Sequence, residues 1–124
     1  MKILVVEDEI VLAKVLKEQF EESGFEVWVA IDGEVALPMA KKIKPDIIAL
    51  DLVLPKKNGF TVLKELKEDE ELKSTPVVVV SNLGEMGDIS RAMSMGATDY
   101  FIKSQHPVNE VVEKVKEMLK KKNY

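Results

Sequence analysis

One apolar run that ends in a single carboxylate constrains the fold of this chain more than any other feature. Residues 47–50 are Ile-Ile-Ala-Leu, Asp51 follows directly, and Pro45 and Pro55 flank the run. A short apolar run between such breakers predicts a parallel strand that is buried on both faces. An ionised side chain inside that strand would cost several kcal/mol unless a cation, a partner charge or water met it. We therefore place Asp51 at the carboxyl end of the strand, where open α/β sheets have their crevice.

Other apolar segments alternate with helical patterns along the chain. Strands are predicted at residues 3–6, 25–30, 76–81 and 99–103, in addition to the one before Asp51. Helices are predicted over about 34–42, 60–66 and 84–95, after Pro107, and on an apolar stripe of Val11, Leu12, Val15, Leu16 and Phe20. Parallel strands that alternate with helices need right-handed crossovers. The fold class is therefore α/β, with one doubly wound sheet of five parallel strands and β2, at 25–30, at its edge.

Composition narrows the class of protein further. The 124 residues predict one domain, 1–124, with a core of ordinary size, and the absence of cysteine excludes disulfides and thiolate metal sites. The net charge of −4 argues against a nucleic-acid surface. No apolar stretch approaches the length needed to span a membrane. We expect a cytoplasmic protein that binds neither nucleic acid nor membrane directly.

Polar side chains stand at the carboxyl ends of four predicted strands. They are Glu7 and Asp8, then Asp51, Ser81 and Lys103. The topology brings these strand ends to one edge of the sheet, where clustered carboxylates would repel one another without a cation. Mg²⁺ suits one or two carboxylates together with waters and a phosphoryl oxygen. The set could place a phosphoryl group on Asp51, with Lys103 as a positive charge and Ser81 as a hydroxyl donor.

Four segments of the chain carry a resemblance to a known family. They are Val-Val-Glu-Asp-Glu at 5–9, Asp-Leu-Val-Leu-Pro-Lys-Lys-Asn-Gly at 51–59, Val-Val-Val-Val-Ser at 77–81 and Gly-Ala-Thr-Asp-Tyr-Phe-Ile-Lys at 96–103. In this order and spacing they resemble the response regulator receiver domain, the family of the bacterial chemotaxis regulator. The resemblance covers residues 2–121 and implies a flavodoxin-like or CheY-like (βα)5 fold. It also implies a phosphorylation-activated switch of two-component signal transduction, whose only chemistry is its own phosphotransfer and autodephosphorylation.

The resemblance implies a role for each residue that matches the family's motifs. Asp51 would accept a phosphoryl group from the phosphohistidine of a sensor kinase or a phosphotransfer protein. The carboxylates of Asp8 and Asp51 and the backbone carbonyl of Val53 would bind Mg²⁺, and Glu7 would hold the ion through water. Lys103 would bind the phosphate.

The same resemblance implies a route from the phosphoryl group to a partner. Ser81 would be the switch hydroxyl, and Tyr100 the aromatic side chain that changes rotamer. From these roles we predict that the fourth helix, the last strand and the final helix form the surface that controls an output protein or domain, or that pairs with a second copy. Weak helix propensity at Gly84, Gly87 and Ser90 makes the fourth helix the element expected to yield most easily.

Three positions depart from the usual family pattern. Asn82 stands where a small residue is usual, and is expected to alter the rates of phosphorylation or dephosphorylation. Ser104 replaces a proline that is usually cis, so the Lys103–Ser104 bond is expected to be trans. Pro38 is expected to kink or shorten the second helix.

Three other classes of protein fit these residues less well than the switch does. A receiver that acts only as a scaffold would not need the intact Asp8, Asp51 and Lys103. An aspartyl-phosphate hydrolase usually has a second acidic residue two positions after its nucleophile, where this chain has Val53. A flavodoxin-like cofactor module would need a Ser-, Thr- or Gly-rich phosphate loop after the first strand, and Glu7-Asp8-Glu9 stands there instead.

Overall fold

A computed structural model describes the backbone of residues 1–122 and the side chains of residues 1–120. Residues 123 and 124, the end of the predicted domain, lie outside the described residues. The strands are β1 (Lys2–Val6), β2 (Glu26–Ala30), β3 (Ile47–Leu50), β4 (Val77–Ser81) and β5 (Asp99–Ile102). The helices are α1 (Ile10–Glu22), α2 (Gly33–Ile43), α3 (Gly59–Glu68), α4 (Met86–Ser94) and α5 (Val108–Lys122). Strands and helices alternate, as the sequence predicts.

All strand pairs are parallel, and the sheet order is β2-β1-β3-β4-β5. The doubly wound α/β class is therefore confirmed, as is the edge position of β2. The chain first winds from β1 to β2 and then crosses to β3 on the other side of β1. This reversal opens a crevice at the carboxyl ends of β1 and β3.

The buried core has two parts, one on each face of the sheet. Alternate residues of each strand point to opposite faces, so Ile3 and Val5 join one part while Leu4 and Val6 join the other. Helices α1 and α5 cover the first face, with Phe20 and Val115 among their buried side chains. Helices α2, α3 and α4 cover the second. Because both faces are covered, the strands are apolar throughout and polar groups collect at their ends.

The predicted apolar stripe of α1 is wrong at Val11, which is 79% exposed. Leu16 and Phe20 are buried as the stripe predicts, Ala13 is buried beside them, and Leu12 packs partly buried against the same core. Each helical residue turns about 100°, so Val11 lies roughly 200° around the axis from Ala13. An apolar side chain at the first turn of α1 therefore faces solvent near the carboxyl edge of the sheet.

Pro38 does not shorten α2, which continues past it to Ile43. The missing Pro38 N–H would have bonded the carbonyl of Glu34, an exposed residue of the first turn. We infer that water satisfies this carbonyl, so the helix tolerates the proline near its start. The side chain of Asp32 also stabilises this end, because it accepts hydrogen bonds from the N–H groups of Glu34 and Val35.

Candidate functional site

Asp51 follows β3 at the bottom of the crevice between β1 and β3. Its backbone N–H continues the sheet by donating to the Val6 carbonyl at 3.0 Å. Gly59 at the start of α3 closes the loop, since its N–H donates to the Leu52 carbonyl at 2.8 Å. A Cβ at Gly59 would lie 2.3 Å from the Asp51 carbonyl oxygen, so only glycine allows this approach. Asp51 is consequently only 4% exposed, at the strand end that the sequence predicts.

Lys103 reaches the same crevice from the end of β5, on the far side of β4. Its Nζ lies 2.8 Å from Asp51 Oδ2 and 2.8 Å from Glu7 Oε1. Burial alone would lower the pKa of Lys103, but hydrogen bonds to Asp51 and Glu7 outweigh burial and raise it. The ammonium group therefore stays charged and holds the two carboxylates together.

Glu7 is the most enclosed acidic side chain of the site, at 2% exposure. Besides the Lys103 ammonium, its carboxylate accepts a hydrogen bond of 3.1 Å from the N–H of Glu9. Burial raises the pKa of Glu7 to about 7, and the hydrogen bonds from Lys103 and Glu9 offset this only in part. Glu7 is thus the group of the site whose charge is least well accommodated.

Carboxylate oxygens of Glu7, Asp8 and Asp51 all lie within 4.8 Å of one another. Glu7 and Asp51 are buried and Asp8 is exposed, so the cluster is open to solvent on one side. With all three ionised, the Lys103 charge leaves this group with a net charge of about −2. Hard divalent cations prefer such oxygen ligands, so the donor set fits an ion like Mg²⁺ or Mn²⁺.

Ser81 and Tyr100 are connected through one residue, Leu83. The Leu83 N–H donates to Ser81 Oγ at 3.3 Å, and the Tyr100 hydroxyl donates to the Leu83 carbonyl. Ser81 is fully buried, and Tyr100 is half-buried with its ring turned towards the loop between β4 and α4. Burial raises the pKa of the Tyr100 hydroxyl, which therefore stays a donor. A change at Ser81 would reach Tyr100 through the backbone of this loop.

The structure brings most of the predicted site residues into one cleft. Glu7, Asp51 and Lys103 are in direct contact, and Asp8 and Val53 line the cleft beside them. Ser81 and Tyr100 form the separate pair described above. Asn82 also lines the cleft, as its predicted effect on rates requires. The Lys103–Ser104 bond is trans, as expected.

Two residues of the site, Glu9 and Leu83, were not predicted from the sequence. Glu9 Oε1 lies 3.5 Å from Lys103 Nζ, so a third carboxylate faces the ammonium group. Its place in the acidic run 7–9 was the available signal. The connecting role of Leu83 belongs to its backbone, for which the side-chain pattern holds no signal.

Comparison with known proteins agrees with this geometry. The family model described as response regulator receiver domain matches residues 3–116. Over 120 residues the chain is 33% identical to the DNA-binding dual master transcriptional regulator RpaA of Synechocystis, covering 97% of this chain and 49% of that protein. The chain spans about half the length of the first curated relatives it matches. The chain belongs to the response regulator receiver domain family.

Solved structures show the same architecture. The receiver domain of the Francisella response regulator 1452 superimposes with a TM-score of 0.89 at 30% identity, over 98% of each chain. The Mn²⁺-bound form of response regulator Rcp1 gives a TM-score of 0.82 at 29% identity, over 92% of this chain and 90% of that one. Receiver domains are signalling modules that work with histidine kinases and output domains, and their acidic pocket holds a divalent cation. Across residues 1–122, the described helices are too short or too polar to cross a membrane.

Proposed function

We propose that this chain is a phosphorylation-activated signalling switch in which Asp51 accepts a phosphoryl group from the phosphohistidine of a sensor kinase or a phosphotransfer protein. The observation that carries this proposal is the pairing of a 4% exposed carboxylate with the Lys103 ammonium at 2.8 Å. A buried nucleophile beside a fixed cation is the arrangement that transfer of an anionic group needs.

In the transfer step, an Asp51 carboxylate oxygen attacks phosphorus and forms a new O–P bond. The P–N bond to the donor imidazole breaks, and its electron pair returns to the ring, whose other nitrogen carries the proton that keeps the leaving group neutral. Lys103 already spans Glu7 and Asp51, so a small shift of its Nζ can satisfy a phosphoryl oxygen. The Ser81 hydroxyl supplies a second donor to that group.

Mg²⁺ would be held by the Asp8 and Asp51 carboxylates and the Val53 carbonyl, with Glu7 acting through water. When bound, the ion neutralises the negative charge that gathers as the phosphoryl group approaches the carboxylates. The 4.8 Å grouping of Glu7, Asp8 and Asp51 supports this donor set. The loop of Val53 supports it too, because the Val53 N–H donates to Asp51 Oδ1 at 3.1 Å and keeps that residue in the cleft.

The output step would begin at Ser81. Phosphorylation adds about −1.5 to −2 charges and new acceptor oxygens. If the Ser81 hydroxyl turns to donate to them, its bond with Leu83 weakens, and the carbonyl that holds Tyr100 moves with Leu83. The change would spread through α4, β5 and α5 to an output protein or domain, or to a second copy of the chain. We place this switch in the cytoplasm, without direct contact to nucleic acid or membrane.

Intact mass after incubation with acetyl phosphate and Mg²⁺ tests the phosphotransfer. We expect one added phosphoryl group in the wild type, none in Asp51→Asn, and much less without the metal. Asp46→Asn is the matched control, because Asp46 is exposed at the opposite end of the same strand. Modification that persists in Asp51→Asn would refute the assignment. An unmodified wild type would favour the scaffold class.

Hydrogen exchange with and without beryllofluoride, a mimic of the phosphoryl group, tests the output step. Altered protection should concentrate between Ser81 and Tyr100. Changes confined to residues 9–42 would contradict the proposed route.

A further inference from the structure

The loop that joins β3 to α3 is fastened to two helices. On one side, the Gly33 N–H at the start of α2 donates to the Pro55 carbonyl at 3.2 Å, and Lys56 Nζ lies 3.6 Å from Asp32 Oδ2. On the other side, Lys57 Nζ lies 2.8 Å from Glu65 Oε1 of α3. The loop is therefore fastened to the start of α2 and, through Glu65, to the second half of α3.

Gly33 lies so close to the backbone of Lys57 that there is no space for a side chain. A Cβ at this position would lie 1.9 Å from the Lys57 carbonyl oxygen and 2.7 Å from its carbonyl carbon. Both atoms belong to the backbone, so rotation of a side chain cannot relieve the overlap. To reach an ordinary van der Waals separation of about 3.5 Å, any larger residue at position 33 must move the loop or α2 by about 1.5 Å.

The other end of this loop controls the Asp51 side chain. Val53 lies two residues before Pro55, and its N–H donates to Asp51 Oδ1 at 3.1 Å. Lys56 has a φ of 70°, in the left-handed region that non-glycine residues seldom adopt. The path of the loop is thus imposed by its attachments, and a displacement at Lys57 reaches Val53 along four residues of backbone.

We propose that Gly33 is a positioning residue for phosphorylation, which keeps the Val53 amide and carbonyl, and through them the Asp51 carboxylate, in the geometry that the cation and the phosphoryl group require. The Asp32–Lys56 ion pair is a second, weaker restraint on the same loop. The inference rests on the proposed function, because it assigns Gly33 to the site in which Asp51 reacts.

The first test needs no metal and no phosphodonor. Proton exchange of the Val53 amide, measured by NMR in EDTA, should be about fivefold faster in Gly33→Ala, the factor expected for loss of one ordinary hydrogen bond. The Leu50 amide inside β3 should exchange as in the wild type. Gly87→Ala is the matched control, because a Cβ there meets no atom within 4 Å. Equally faster exchange of Leu50 and Val53 would indicate a general loosening of the fold and would overturn the positioning role.

The second test is the Mg²⁺ dissociation constant, measured by calorimetry. Gly33→Ala should raise it about tenfold, the lower end of the effect of groups that orient metal ligands. Lys56→Asn removes the ion pair, and asparagine tolerates the left-handed backbone at this position. This variant should raise the Mg²⁺ dissociation constant about threefold, because an exposed ion pair contributes little free energy. Gly87→Ala should leave it unchanged.

The outcomes separate this inference from the proposed function. Wild-type values for Val53 exchange and Mg²⁺ affinity in a folded Gly33→Ala would overturn the positioning role. If Gly33→Ala does not fold, Lys56→Asn decides: wild-type values in that variant would overturn the role, and weaker binding supports it. A wild type that takes no phosphoryl group would refute the proposed function, whereas a changed Val53 exchange would still support the action of Gly33 on the loop.

Discussion

Helices α3 and α4 cover the same face of the sheet and follow the strands that lead to Asp51 and Ser81, yet they are held very differently. Helix α3 buries the apolar side chains Phe60, Val62, Leu63 and Leu66. In α4, which is described completely, Ala92 is the one buried residue. Burial of large apolar side chains is the main source of helix stability in proteins. Helix α3 is therefore firmly anchored on the sheet, and helix α4 is not.

A side chain caps the N-terminus of α3, whereas no side chain of the described residues caps the N-terminus of α4. The Asn58 side chain accepts a hydrogen bond from the Thr61 N–H and caps α3, whereas Glu85 before α4 makes no such bond. The Arg91 guanidinium of α4 stacks on the Phe60 ring of α3, 4.0 Å from its centroid. The differences in burial and capping indicate that α4 can move at a lower energetic cost than α3.

Truncation of one apolar side chain in each helix should produce the largest difference. Leu63→Ala should lower the free energy of unfolding by about 2–5 kcal/mol, because Leu63 is fully buried and leaves a cavity. Met93→Ala, at a position 41% exposed, should cost no more than about 0.5 kcal/mol. Urea unfolding followed by circular dichroism measures both. Equal losses would mean that α4 is anchored as firmly as α3.

The pH dependence of the free energy of unfolding should reveal the energetic cost of burying the Glu7 carboxylate. Below about pH 4.5 Glu7 is protonated in both states, while between 4.5 and 7 only the folded state keeps the proton. Stability therefore falls as the pH rises through this window, by up to about 3 kcal/mol. In metal-free buffer, the free energy of unfolding of Glu7→Gln should increase relative to that of the wild type by up to about 3 kcal/mol between pH 4 and pH 8. A constant difference between the two proteins would show that the pKa of Glu7 is not raised.

Removal of the helix caps should give a smaller contrast. Asn58→Ala should cost about 1 kcal/mol, the usual value for loss of a side-chain cap. Glu85→Ala should cost only about 0.3 kcal/mol, since this side chain offers α4 its charge alone. Thermal unfolding at matched pH measures both variants. A larger loss in Glu85→Ala would reverse the comparison.

The smallest expected effect is a local stabilisation of α4. Gly87→Ala should favour the helix by about 0.5 kcal/mol, because alanine has the higher helix propensity and the added Cβ meets no neighbour. Amide exchange within 86–94 should slow about twofold while exchange in α3 is unchanged. Slower exchange in both helices would show that they open as one unit.

Much of this protein could be predicted from its sequence because the decisive signals are local. The apolar run 47–50 and the four valines of β4 predict buried strands whatever surrounds them. The position of Asp51 follows from the cost of placing a charge within such a strand. The alternation of strands and helices then predicts the doubly wound class, since parallel connections allow few other solutions.

Tertiary structure decided which neighbours each local feature meets. The Asp51–Lys103 pair joins residues 52 apart, and the Gly33–Pro55 bond joins the start of α2 to the loop between β3 and α3, whose separate patterns say nothing of each other. Val11 belongs to an apolar segment, yet only the packing of α1 on the sheet determines that it faces solvent. The periodicity of a segment specifies whether it forms a helix or a strand and approximately where that element ends. Burial, ion pairing and loop position depend instead on how elements that are distant in the chain are oriented and spaced in the fold.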